Sequence, residues 1–127
     1  MRELRRVTRR GGRVVVGLNG ADHLREMRAI IAAARGRETA RIGEKLRLDS
    51  GEALLRTVFA SVERHDFRAE LRIPSPAPIV DYVRSMSETL ARADDGQFAA
   101  AIASRAFPEG PGSVFSVTTH SGCLVAS

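Results

Sequence analysis

The stretch "RRVTRRGGRVVVGLNGADHL", Arg5–Leu24, decides the fold class of this 127-residue chain. A basic helical turn ends at Gly11-Gly12, since glycine is favoured just after the last turn of a helix. The β-branched run Arg13–Leu18 shows no alternation, which is typical of a strand covered on both faces in a parallel sheet. A polar loop and a new helix follow the run. The stretch therefore predicts an α/β protein.

The loop after this strand predicts the start of a helix. Asn19 is a residue type that caps helices, and Asp22 would lie in the first turn, where the helix dipole favours an acid. The helix would present one apolar stripe, which comprises Leu24, Met27, Ile30, Ile31 and Ala34. Gly36 would end it. Residues 35–47 are charged and poorly patterned, and they predict an exposed loop.

The rest of the chain predicts three further helices and two further strands. Asp49 would cap one helix, with a buried side of Leu54, Leu55, Val58 and Phe59. An alternating strand follows, whose residues Phe67, Ala69, Leu71 and Ile73 would face one way at a sheet edge. A helix after Ser75-Pro76 would bury Ile79, Val83, Met86 and Leu90, and a shorter one would span 97–106. Residues 113–127 predict either a hairpin or one strand bent at Gly122.

The charge pattern argues against a nucleic-acid surface. The net charge is +5, but residues 1–13 alone hold six arginines and one glutamate, and the remainder is neutral. Aromatic residues make up 5% of the chain, and none lies among these arginines, so a platform for stacking single-stranded bases is absent. We interpret the basic segment as a solvated helix face, and we expect no nucleic-acid partner.

The cysteine and histidine residues indicate the cellular compartment and whether a metal site is expected. One cysteine, Cys123, cannot form an internal disulfide, and no signal peptide or bilayer-spanning run is visible. We expect a cytoplasmic protein, a single domain over 1–127 and no membrane contact. His23, His65 and His120 are far apart in sequence and lack a cluster of further ligands, so no metal site is expected.

Five segments together resemble class I S-adenosylmethionine-dependent methyltransferases, in particular a type 11-like subgroup. "LRRVTRRGGRVVV" is similar to the helix end, Pro-Gly-Gly turn and fifth strand of that family, although Thr8 and Arg10 replace the usual leucine and proline. "LNGADHLREM" is similar to the loop and helix that follow. "SGEALLRTVFASVERHDF", "IPSPAPIVDYVRSM" and "GSVFSVTTHSGCLVA" follow the order and spacing of its last two strands and the helices between them. The resemblance covers nearly the whole chain.

The resemblance implies a partial Rossmann-like sheet of about three strands, with four to five helices. One strand would be inner and of the parallel type, and two would be edge strands of the antiparallel type. The family holds S-adenosylmethionine with a glycine-rich loop after its first strand, and an acidic residue after the second binds the ribose. Neither is present here, because Gly17–Gly20 follows the strand that resembles the fifth. The chain would be the acceptor-side, C-terminal portion, without a cofactor-binding residue and inactive alone.

The resemblance places Asn19 and His23 on the side that binds a small-molecule methyl acceptor. The plainer interpretation makes Asn19 a helix cap and His23 an exposed residue of the first turn, and we favour it because caps are commoner than ligands. No catalytic residue is identified. The strand Val14–Leu18 would lack one neighbour, which predicts self-association or a complementing chain at its edge. The alternative function is a small non-catalytic α/β interaction module that uses this edge or the basic N-terminal helix.

Overall fold

The computed structural model describes residues 1–35, 46–86 and 95–127. Within them the elements are α1 (Arg2–Val7), β1 (Val14–Asn19), α2 (Arg25–Arg35), α3 (Leu48–Arg56), β2 (Val62–Ile73), α4 (Ala77–Met86), α5 (Asp95–Ala106) and β3 (Phe115–Ala126). The predicted α/β class is confirmed, and the three strands and five helices of the described ranges agree with the predicted three or so strands and four to five helices. None of the described helices is both long and apolar enough to cross a membrane.

The central strand of the sheet is the last one in the chain. The strand order is β1-β3-β2, and β1 pairs antiparallel with β3, from Val14 opposite Ala126 to Asn19 opposite Ser121. The predicted inner, parallel-type strand is not confirmed, since among the described residues β1 ends the strand order and pairs antiparallel. The prediction that the two C-terminal strands are edges is wrong for β3, whose two sides are both paired. The C-terminal segment forms one continuous strand, so the hairpin alternative is wrong.

β2 also runs antiparallel to β3. Ser61 and Ser127 exchange two backbone hydrogen bonds of 3.1 and 3.0 Å, and the Thr119 hydroxyl donates to the carbonyl of Ala69 at 3.0 Å. Residue numbers thus rise along β2 as they fall along β3. Because β1 and β2 are each antiparallel to β3, they run in the same direction.

β1 is covered on one face, not on two. Val14, Val16 and Leu18 pack in a hydrophobic core, whereas 65% of Val15 is exposed. The prediction of a strand buried on both faces is wrong for this second face. Valine-rich runs are compatible with either arrangement, because β-branched residues favour strands wherever they lie.

The alternation of β2 predicted a buried face that the strand does not have. Val62 and Ile73 are buried, but Phe67 is 66% exposed, and Ala69 and Leu71 are exposed too. Alternation shows which residues share a face of a strand, but it does not show whether another element covers that face. The prediction of a core-facing side at Phe67, Ala69 and Leu71 is wrong for this reason.

The chain divides into two compact units, each with its own core. The first unit comprises Met1–His23, Gly43–Ala69 and Thr119–Ser127. Its core joins α3, β2 and β3, and consists of Leu48, Leu55, Phe59, Val62, Leu124 and Ala126. We predicted one domain over 1–127, and this stays a prediction.

The second unit comprises Leu24–Ile42 and Glu70–Thr118. Its core draws on α2, α4 and α5, and consists of Met27, Ile31, Ile73, Ile79, Val83, Ile102, Ala106, Phe107 and Val117. The apolar stripe of α2 and the burial of Ile79 and Val83 are confirmed. The predicted helix end at Gly36, the interior of the 35–47 loop, Leu90 and the side chain of Met86 lie outside the described residues.

Glu26 ties α2 to β3 within the second unit. Its carboxylate accepts hydrogen bonds from the Thr118 amide at 2.9 Å and from the Thr118 hydroxyl at 2.7 Å. Burial opposes the ionisation of Glu26, but hydrogen bonds from Arg25 and from Thr118 outweigh it and lower the pKa of Glu26 to about 2. The interaction therefore stabilises the fold at pH values above the ordinary glutamate range, and it is lost as pH falls towards 2.

α3 begins at a different cap from the one predicted. Arg47 is its N-cap, and the Ser50 hydroxyl accepts from the Arg47 backbone N–H at 3.0 Å. Asp49 lies in the first turn instead. Leu55 is buried as predicted, but Leu54 is 44% exposed, so its assignment to the buried side is wrong.

Candidate functional site

The two candidate residues from the sequence lie at the carboxyl end of β1, in different settings. Asn19 is the last residue of β1, and it is exposed. It does not cap α2, which begins at Arg25, so that prediction is wrong. His23 is half-buried, and its Nδ1 accepts a hydrogen bond of 3.1 Å from the backbone N–H of His120. The interpretation of His23 as an exposed helical residue is therefore wrong.

A tight turn of residues 20–23 fastens this end of β1 to β3. The Gly20 N–H donates to the carbonyl of His120 at 2.9 Å, and the His23 N–H donates to the carbonyl of Gly20 at 3.3 Å. A Cβ atom on Gly20 would overlap the imidazole ring of His120. Glycine is required at position 20 because the backbone lies directly against that ring.

The imidazole of His120 lies between two carboxylates. Its Nδ1 is 2.5 Å from Asp22 Oδ1, and its Nε2 is 2.6 Å from Asp66 Oδ1. Only 4% of the His120 side chain is exposed, against 27% for Asp22 and 34% for Asp66. We call these three residues the histidine clamp. It joins the 20–23 turn, β3 and β2 within the first unit.

The geometry of the histidine clamp fixes the protonation of His120. A neutral imidazole has one N–H donor and one bare nitrogen. A bare nitrogen within 2.6 Å of a carboxylate oxygen would place two lone pairs against each other. With both carboxylates ionised, both contacts are hydrogen bonds only when both ring nitrogens carry protons, which makes His120 an imidazolium cation in this geometry.

Two arginines keep the carboxylates of the clamp ionised. Arg64 donates to both oxygens of Asp66, at 2.7 and 2.8 Å, in the paired geometry that suits a guanidinium and a carboxylate. Arg68 donates to Asp22 Oδ2 at 2.6 Å. Arg64 also contacts Asp49 on α3 at 2.5 Å. The cluster is thus a continuous network of alternating charges.

The pKa shifts follow from these contacts. Hydrogen bonds to Asp66 and then to Asp22 raise the pKa of His120 above its ordinary value of 6.5. The hydrogen bond from His120 and then that from Arg68 lower the pKa of Asp22, and those from Arg64 and His120 lower the pKa of Asp66.

These shifts define the pH window in which the clamp stabilises the fold. The contribution of His120 is complete below 6.5 and is lost as pH rises through its raised pKa. The contribution of the two carboxylates is present above their ordinary value of 3.8 and is lost as pH falls through their lowered pKa values. The clamp therefore contributes its full stability in the interval between 3.8 and 6.5.

The clamp positions a loop and does not carry out proton transfer. A general acid or base needs a ring nitrogen within hydrogen-bond reach of the substrate. Both nitrogens of His120 are occupied by the protein's own carboxylates, and the ring is buried. What the arrangement can do is hold the 20–23 turn, and with it His23, in one conformation at the end of β1.

The described residues contain no group of three His, Cys, Asp or Glu side chains that could hold a metal ion. The carboxylate oxygens of Asp22 and Asp66 lie on opposite sides of one imidazole ring. Metal ligands must instead converge on a single point.

Sequence reasoning missed all three members of the clamp. The sequence analysis places Asp22 in the first turn of a helix, and it assigns no site role to Asp66 or His120. His120 is 98 positions from Asp22 and 54 from Asp66, so no local spacing joins them. The one available signal was a histidine inside an apolar strand, which needs polar partners when it is buried.

We predict that Gly20→Ala destabilises the protein by roughly 1–3 kcal/mol, because the new methyl group displaces a ring that two carboxylates hold in place. Gly17→Ala in β1 is the matched control, since a Cβ atom there meets no atom within 4 Å. Its expected effect is less than about 1 kcal/mol. Urea unfolding of both variants measures the difference, and equal effects would contradict the close packing of Gly20 on His120.

Comparison with known proteins gives no family for this chain. No protein-family model matches it, and no curated protein is significantly similar to it. The functional interpretation therefore depends on the geometry above and on the resemblance of the sequence segments.

Proposed function

We propose that this chain is the C-terminal, acceptor-side portion of a class I S-adenosylmethionine-dependent methyltransferase. The observation that carries the proposal is the direction of the strands. β1 and β2 run the same way, and α2 and α3 lie between them in the chain. Co-directional strands joined through helices are the building unit of Rossmann-like sheets.

The position of the 20–23 turn also supports the proposal. Open α/β sheets bind ligands outside the carboxyl ends of their strands. Asn19 and His23 lie at such an end, and the histidine clamp fixes the turn that carries His23. In the proposed enzyme both residues would contact a small-molecule methyl acceptor, and the protein would chiefly position that acceptor.

The described residues do not fit the methyl donor. Gly11-Gly12 connects α1 to β1, so it is not a loop from a strand into a helix. Gly20 does follow a strand, but its N–H is bonded to the carbonyl of His120 and its Cα faces the imidazole. No open glycine cradle for the donor is left at this position. The donor site of the proposed enzyme would belong to sequence outside this chain.

Calorimetric titration with S-adenosylmethionine tests this proposal. We expect the 127-residue chain to show no saturable binding at about 0.1 mM donor, which corresponds to less than about 5.5 kcal/mol of binding free energy. A dissociation constant of a few micromolar would contradict the assignment to the acceptor side.

A second test examines the genomic bases that precede the Met1 codon. We expect them to encode, in frame, a strand with a glycine-rich loop that opens a helix, and an acidic residue after the next strand. The extended protein should then bind the donor at micromolar concentration. An in-frame stop codon directly upstream would contradict the proposal.

A second candidate function is a non-catalytic interaction module that pairs through the β1 edge. Among the described residues, β1 lies at the end of the strand order, it carries no charge, and Val15 is 65% exposed. Uncharged edge strands pair readily with another chain. The basic helix is a weaker surface, because Arg6 pairs with Glu3 and Arg5 lies 5.6 Å above the ring of Phe59.

We predict that the chain self-associates through this edge and that Val15→Lys prevents it, since a charge on an edge strand opposes pairing. Light scattering should give at least twice the chain mass of 13.8 kDa for the natural sequence, and 13.8 kDa for the variant. Val114→Lys, which changes an exposed valine outside the strands, is the control. A monodisperse monomer of the natural sequence would contradict the prediction.

A further inference from the structure

We propose that the histidine clamp is a latch controlled by one proton: it holds the 20–23 turn against β3 and releases the turn when His120 becomes neutral. The inference follows from the contacts of the first unit and does not depend on the methyltransferase proposal. The latch differs from a static ion pair because its central cation can lose its charge within an accessible pH range.

The chemistry of the imidazole makes the two states discrete. As a cation, His120 donates to Asp22 and to Asp66. After it loses a proton it can donate to only one of them, and its bare nitrogen then faces the oxygen of the other. One carboxylate then moves away, because the ring nitrogen is buried and cannot turn to water, whereas both carboxylates are partly exposed.

The contacts decide which carboxylate moves. Asp66 lies within β2, and Arg64 holds both of its oxygens. Asp22 lies in the turn, and Arg68, which also bonds its carboxylate, has a side chain that is 60% exposed and can follow it into solvent. Asp22 is therefore the carboxylate that moves away from His120.

Two further hydrogen bonds join the turn to the backbone of His120, and the exposed Arg47 side chain donates to the carbonyl of Ala21 at 3.2 Å. The Gly20 N–H donates to the His120 carbonyl, and the His120 N–H donates to His23. Both of the bonds to His120 involve its backbone, so they weaken together when Asp22 moves away from the imidazole. The turn would then move as a unit.

The charged groups around the ring set the direction of the switch. The turn contributes Asp22 and His23, β2 contributes Arg64, Asp66 and Arg68, and α3 contributes Asp49 and Glu52 through Arg64. The carboxylates favour the cation and raise the pKa of His120, although burial of the ring and then Arg68 oppose this. The latch is accordingly closed below pH 6.5 and opens as pH rises through the raised pKa of His120.

Amide NMR spectra of the full chain, recorded from about pH 6 to about pH 10, test the latch. We expect the amide signals of Gly20, Asp22 and His23 to shift with one shared midpoint above 6.5. Through that midpoint the protection of the Gly20 amide from hydrogen exchange, corrected for the intrinsic rate, should fall by about tenfold or more. The amide of Leu124, which is buried in β3, is the internal reference and should not follow.

Two variants separate the latch from other titrations. His120→Gln has donors on only one side of its amide, where the other side is an acceptor oxygen, and it does not titrate. Its turn should therefore show low protection at every pH and no midpoint. His65→Gln removes an exposed histidine of β2 and should keep the midpoint of the natural sequence. If His120→Gln does not fold, the titration of the natural sequence decides alone.

Two results would overturn the latch. One is a turn whose amide shifts and protection stay constant across the whole range. The other is a midpoint that persists in His120→Gln, which would assign the titration to a different group, His23 first of all.

Discussion

The buried imidazolium of His120 is the interaction on which the first unit depends. It satisfies two carboxylates from distant parts of the chain, and each of these is held in turn by an arginine. A buried charge is tolerated only when it is paired and hydrogen-bonded on all its donors. Both ring donors of His120 are used in this way. The central strand β3 is thereby fixed to the turn after β1 on one side and to β2 on the other.

This constraint explains the local geometry around the end of β1. Gly20 must be glycine because the ring occupies the space of its side chain. The chain cannot enter α2 at Asn19, since residues 20–23 are needed to reach the clamp. Leu24 then adopts the left-handed conformation, with φ of 55°, before α2 begins. Strain of this kind in a residue other than glycine persists where surrounding contacts hold it, and it is often found at functional loops.

The sequence predicted the elements that local residue patterns determine. It did not predict features that depend on which elements pack together in the tertiary structure. The stripe of α2 was visible because Met27 and Ile31 repeat with the helical period and meet a core. The exposure of Phe67 and Val15 was not visible, since alternation and β-branching do not report what covers a face. The histidine clamp could not be predicted from the sequence for a further reason. Asp22, Asp66 and His120 meet only because β3, the last strand in the chain, inserts between the first two.

The protonation state of His120 at neutral pH tests the central claim most directly. Nitrogen-15 NMR of the imidazole, with histidine labelled in the full chain at about pH 7, reads the two ring nitrogens separately. The account predicts that both nitrogens of His120 carry protons and that both protons are hydrogen-bonded. A neutral ring, with one bare nitrogen, would contradict it.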